Sequence, residues 1–244
     1  MMLAVGFLVS ISVDLIWLSH LLSVVSFLLV AFALPEPEPI EYEKAKGTAK
    51  TDKFPMSVWG LLIACVAGMV CMYPVLINSS LIIAENNWGD ADLAGTCNAI
   101  SSLGSFFAGV VFGKFYAKFP RFTPLFCAIL ASAGSLLIFI APAYPLLVLG
   151  SFLVGWGFMQ FFCYIMGTVG VVTPPSRVAM AMSCVLAANN LAVFIAPHVS
   201  LLIQNAIGTA NYQPPFLIYA ALWIIMGLIV FVWHPDTKDN SQSN

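Results

Sequence analysis

The sequence predicts an all-α fold, a polytopic transmembrane helical bundle, and three observations carry that prediction. Hydrophobic residues make up 61% of the 244 and charged residues only 8%, against about 25% charged in a soluble domain. A chain so poor in charge cannot clothe a globular surface, so lipid must be its solvent, as its mean hydropathy of +0.96 also says. Apolar stretches of crossing length recur along it, separated by short polar breaks. Its cations fall in alternate breaks, as the positive-inside rule requires of a multi-pass protein.

The first 33 residues are apolar and would make a helix of about 50 Å, too long for one crossing. Asp14, Trp17 and His20 break it, leaving a stub and a full span near 16–33. No basic region precedes it, so it does not read as a secretory signal. The segment 34–54, LPEPEPIEYEKAKGTAKTDKF, has the prolines and mixed charges of a solvated linker. Six further spans follow near 56–78, 93–116, 123–141, 145–168, 178–203 and 215–233, and a polar tail closes the chain at 236–244. With the first full span this makes about seven membrane segments. The organisation is therefore 1–33, a linker at 34–54, a six-helix unit at 55–235 and a tail at 236–244.

All 9 Lys and Arg residues lie in four places. Lys44, Lys46, Lys50 and Lys53 are in the linker; Lys114, Lys118 and Arg121 follow the 93–116 span; Arg177 precedes the 178 span; Lys238 is in the tail. The connections around 79–92, 141–145 and 204–214 contain none. The cytoplasmic side therefore holds 34–54, 114–122, 169–177 and the C-terminus, in a plasma or inner membrane. Trp59, Trp88, Tyr116, Tyr144, Tyr212 and Trp233 fit interfacial belts.

Close packing between helices in lipid depends on small residues. The span from 93 carries Cys97, Ser101, Ser105, Gly109 and Gly113, one every four positions and so on one face. The span from 178 carries two such ridges, Ala179, Ser183, Ala187 and Ala188, Ala192, Ala196. Both helices are expected to be interior. The last span and the one near 16–33, rich in Leu, Ile, Val and Phe, are expected to face lipid.

Polar residues within spans are functional hypotheses. Gln160 and Tyr164 share a face, Asn189 and Asn190 fall near mid-depth, and Asn78 and Asn98 lie nearer the outer surface. Each either lines a cavity for a small solute or bonds across helices at about 0.6 kcal/mol. His198, beside Pro197, reads as structural. No Asp, Glu, Lys or Arg lies deep in the last six spans, so a carboxylate proton relay has no residues there. The cysteines form no CxxC or Cys/His cluster, and no cofactor or metal motif, phosphate loop or nucleophile–base pair is present. No basic patch suits nucleic acid. The partners expected are the bilayer and a small solute, and an enzyme is not.

The order of these features resembles the C-terminal half of a major facilitator superfamily transporter. The first full span running into LPEPEP is similar to that family's sixth helix and central loop. WGDADLAGTCNAISSLGSFFAGVVFGKFYAKFPRFTP is similar to its outer loop, eighth helix and next cytoplasmic loop. TPPSRVAMAMSCVLAANNLAVFIAP is similar to the eleventh helix and its lead-in. The family's gating-loop pattern, roughly G-x-x-x-D-R-x-G-R, keeps Gly113, Lys118 and Arg121, while Ala117 and Pro120 replace the acid and the second glycine.

The resemblance implies a remnant of the fifth helix followed by helices six to twelve. It places Gln160 and Tyr164 on the cavity-lining tenth, Asn78 on the seventh, and Asn189 and Asn190 on the eleventh. It implies transport by alternating access, with one wall of the site supplied here. The chain would be a truncated or partial form, or would pair with a separate N-terminal half or a second copy. A non-transporting membrane subunit and a passive pore are the alternatives.

Overall fold

The computed structural model of the chain describes residues 55–89 and 91–233, with isolated helical positions at 24, 27–28 and 32. Six helices follow one another: α1 (Met56–Glu85), α2 (Ala91–Lys118), α3 (Thr123–Phe139), α4 (Tyr144–Val172), α5 (Val178–Ile207) and α6 (Pro215–Trp233). A 3-10 turn, Pro175–Arg177, leads into α5. No strand occurs among the described residues. Five of the helices are long and apolar enough to cross a membrane, and α3, at 17 residues, is the short one. The rest of the span near 16–33, the linker 34–54 and the tail 236–244 lie outside the described residues.

Helix ends follow local chemistry. Pro124 and Pro145 stand in the first turns of α3 and α4, where a missing N–H leaves nothing unpaired. Gly208 closes α5 at φ 71°, its N–H donating to the carbonyls of Gln204 and Asn205, a left-handed cap that glycine adopts without strain. Helix α1 outruns its expected end at 78 by seven residues to reach Glu85. Within a bilayer a backbone satisfies its own polar groups most cheaply by staying helical. Ser79 and Ser80 assist, their hydroxyls donating to the carbonyls of Leu76 and Ile77 at 3.4 and 3.3 Å.

Helix α4 is the centre of the bundle, and its glycines make it so. A Cβ placed on Gly157 would lie 2.6 Å from the Cys127 carbonyl oxygen, and one on Gly150 2.7 Å from that of Gly134, so α4 and α3 touch backbone to backbone. On another side of α4, Gly155 meets the Ser101 carbonyl of α2, and Gly104 of α2 meets that of Phe152. Helix α6 lies on α3, where Gly227 faces Ala128, and it buries Tyr219, Trp223, Met226 and Val230. Its Leu222, Ile225, Ile229 and Val232 stay exposed, as a lipid-facing helix requires.

The expected packing ridges are only partly used. Ser101 and Ser105 lie in the α2–α4 seam, with Ser105 Oγ donating to the Gly155 carbonyl at 3.0 Å. Gly109 and Gly113 do not pack: an added Cβ would meet nothing within 4 Å, and Phe106 and Val110 beside them are each 64% exposed. On α5, Ala192 and Ala196 are buried while Ala179, Ser183 and Ala187 are exposed. The expectation that α2 and α5 are interior is thus corrected. Each turns one side to the bundle and leaves the other exposed among the described residues.

At the Glu85 end, side chains stitch the connections together. Gln213 Nε2 donates to the carbonyls of Ile138 and Ala141 at 3.2 and 2.9 Å, and its Oε1 accepts from Asn86 Nδ2 at 3.4 Å. The Tyr144 hydroxyl donates to the Leu93 carbonyl at 2.9 Å.

Candidate functional site

The polar groups within the bundle occupy two levels. Measured along the helices, Gln160 lies about 18 Å from the Val172 end of α4 and Asn189 about 17 Å from the Val178 end of α5. Half of a bilayer's hydrocarbon is about 15 Å, so both fall near mid-depth. Asn78 lies about 33 Å from the start of α1, roughly 16 Å beyond that level.

At the upper level Asn78, 4% exposed, donates from Nδ2 to Ser200 Oγ on α5 at 3.2 Å. Pro74 and Pro197 break the backbone ladders of α1 and α5 one turn earlier, so the bond joins two helices just past their weak points. Asn98 is tied in beside it, accepting from Ser79 Oγ and donating to the Leu76 carbonyl, both at 3.2 Å. Asn78 and Asn98 are therefore engaged in joining helices.

At mid-depth Gln160 is 1% exposed, and its Oε1 accepts from Trp156 Nε1 at 3.1 Å. Tyr164, also 1% exposed, meets Tyr116 edge to face at 6.1 Å. Trp156, Met159 and Cys163 form the half-buried face of α4 beside them. On α5 the adjacent amides differ. Asn190 is exposed, its Nδ2 donating to the Leu186 carbonyl at 2.9 Å. Asn189 Oδ1 is buried and accepts no hydrogen bond. A buried acceptor left unpaired costs about 1–3 kcal/mol, which makes it the group in the site best suited to a ligand's donor. The structure thus brings Gln160 and Tyr164 together on α4 and sets Asn189 and Asn190 at the same depth on α5; Asn78 stands apart from both. Trp156, which holds Gln160, escaped the sequence reading because an indole in an apolar run reads as packing.

Charge is confined to the ends. Among the described residues the acids are Glu85 and Asp92 at one end, and the cations Lys114, Lys118, Arg121 and Arg177 stand at the other. No group of His, Cys, Asp and Glu able to hold a metal occurs among the described residues. Lys118 stands over Phe119 at 5.4 Å and Arg121 over Phe231 at 5.3 Å. Gly113, on the same stretch, is exposed. A groove of about 940 Å³ between α1, α5 and α6, lined by residues such as Trp59, Ile63, Val70, Ile195, Ile225 and Trp233, contains none of these amides and is almost wholly apolar.

Span-length helices with uncharged polar groups at mid-depth and charges only at their ends define a multi-pass membrane protein. The profile of the Major Facilitator Superfamily matches residues 60–244, and the chain belongs to that superfamily, which supports a secondary transporter of the major facilitator type and points to transport rather than catalysis. No curated protein matches it significantly.

Proposed function

We propose that the chain forms one wall of a pathway that moves a small, uncharged polar solute by alternating access. The observation that supports this most is the buried, unpaired Asn189 Oδ1, set near mid-depth at the level of Gln160, where transporter sites of this kind sit. Asn189 accepts from the solute, the exposed Asn190 amide adds a donor and an acceptor, and Gln160 with Tyr164 adds polarity at the same level of α4. Asn78 belongs to this reading as a positioning residue, through Ser200. Gly113, Lys118 and Arg121 form the gating stretch on the cytoplasmic side, where the C-terminus also lies. The opposite wall, an N-terminal half or a second copy, docks on the faces of α2 and α5 that are exposed among the described residues. Those same faces would serve an assembly subunit that transports nothing, and one set of variants separates the two readings.

Uptake of a panel of labelled neutral solutes is measured for Asn189→Ala, Asn190→Ala and Gly109→Leu at matched membrane abundance. Loss of one hydrogen bond of about 1 kcal/mol raises KM about fivefold in the two asparagine variants. Unchanged transport in both, together with a complex broken by Gly109→Leu, would sink the transport reading.

A further inference from the structure

The last turns of α2 and the turn into α3 carry three cations beside a shelf of phenylalanines. Lys114, Lys118 and Arg121 are all exposed, and the stretch 113–126, GKFYAKFPRFTPLF, contains no acid. Beneath them Phe115 lies against Phe126 at 4.6 Å and Phe122 against Phe231 at 5.6 Å. Phe119, Phe122, Phe126 and Ile129 are exposed at 43, 54, 38 and 51%. Glu85 and Asp92 lie at the other end of helices about 40 Å long, far beyond a Debye length of about 8 Å. Among the described residues these cations therefore face no carboxylate.

Ring stacking does not exhaust them. A guanidinium stacked through its face keeps its N–H donors in the plane of its edge, and an ammonium over a ring keeps donors directed outward. Arg121 Cζ and Lys118 Nζ lie over the rings of Phe231 and Phe119, 5.3 and 5.4 Å from their centroids. Three exposed cations that face no carboxylate among the described residues suit an anion. The apolar shelf beside them, at a membrane boundary, selects one that carries hydrocarbon.

We propose that this turn seats an anionic phospholipid, its phosphate between Lys114, Lys118 and Arg121 and its acyl chains along Phe119, Phe122, Phe126 and Ile129. The cations supply charge-assisted hydrogen bonds to phosphate oxygens, and the phenylalanines give the chains a surface that lipid tails wet as well as they wet each other.

The full chain is placed in nanodiscs of equal parts phosphatidylcholine and phosphatidylglycerol, and lipids retained on release are counted by native mass spectrometry. The wild type retains phosphatidylglycerol preferentially. Each of Lys114→Gln, Lys118→Gln and Arg121→Gln lowers that preference about fivefold, the share of one cation near a membrane surface, and the triple variant abolishes it. Should the triple variant not fold, the single variants read the same quantity. Asp236→Asn with Asp239→Asn, which discharges the tail, leaves the preference unchanged. Equal retention of the two lipids by the wild type overturns the proposal. So does a triple variant that keeps its preference, or a rise on discharging the tail, which would show that protein acids and not lipid hold these cations.

Discussion

Gly157→Ala places one methyl group in the seam between α3 and α4. Its carbon would stand 2.6 Å from the Cys127 carbonyl oxygen, 2.7 Å from the Ala131 nitrogen and 2.8 Å from the Ala131 Cβ. Two of those neighbours are backbone and cannot swing aside. Restoring ordinary contact at 3.4 Å parts the helices by about 0.8 Å at that turn, a gap that forfeits a quarter to a half of each dispersion contact along the seam. Overpacking of this kind costs about 1–3 kcal/mol, and the rigid neighbours place this case near the top of that range. At roughly 2–4 °C per kcal/mol for a chain of this size, Tm falls by about 5–10 °C. Gly113→Ala is the matched control, because its added methyl meets nothing within 4 Å. It leaves Tm unchanged or raises it, alanine being the better helix former by up to about 1 kcal/mol. Both are melted in the same detergent and followed by tryptophan fluorescence. Equal Tm values for the pair, or a lower one for Gly113→Ala, would refute the assignment of α4 as the tight centre.

Three further outcomes are expected. Asn78→Ala removes the bond to Ser200 and lowers stability by about 0.6 kcal/mol, at most about 1.7, read as a small Tm shift; a drop several times larger would mean the amide does more than join α1 to α5. Trp156→Phe keeps an aromatic ring but deletes the donor to Gln160, and it changes the KM for solute while membrane abundance holds. Gln213→Ala frees the carbonyls of Ile138 and Ala141, costing about 1–2 kcal/mol and raising amide exchange in 140–143 and 209–214 with little change in α4.

The six helices were legible because hydropathy and cation placement report directly on what lipid accepts, and expected and observed starts agree within a residue or two from α1 to α6. Which helix is central was not legible. Cys97, Ser101, Ser105, Gly109 and Gly113 make a clean ridge, but spacing shows only that a face can pack and says nothing about what packs on it. The glycines that do the packing, Gly150, Gly155 and Gly157, break the spacing of four because they serve two partners: Gly150 and Gly157 meet α3 while Gly155 meets α2. The uniform hydropathy of α6 likewise hid the buried stripe Tyr219, Trp223, Met226 and Val230. In the site, residue type located the amides, whereas only geometry separates Asn78, whose bond is made, from Asn189, whose oxygen is buried and accepts none.

Gln213 grips the turn after α3 and Asn86, the residue that caps α1, with one side chain. Three connections at that end therefore behave as a single plate rather than as separate loops, which bears on where the protein can be labelled. An epitope inserted after Ala210 drags Gln213 out of register and loosens all three at once. The same epitope after Gly89, which is exposed, puts only the Asn86 bond at risk and leaves Gln213 on the carbonyls of Ile138 and Ala141, so that position disturbs the plate less.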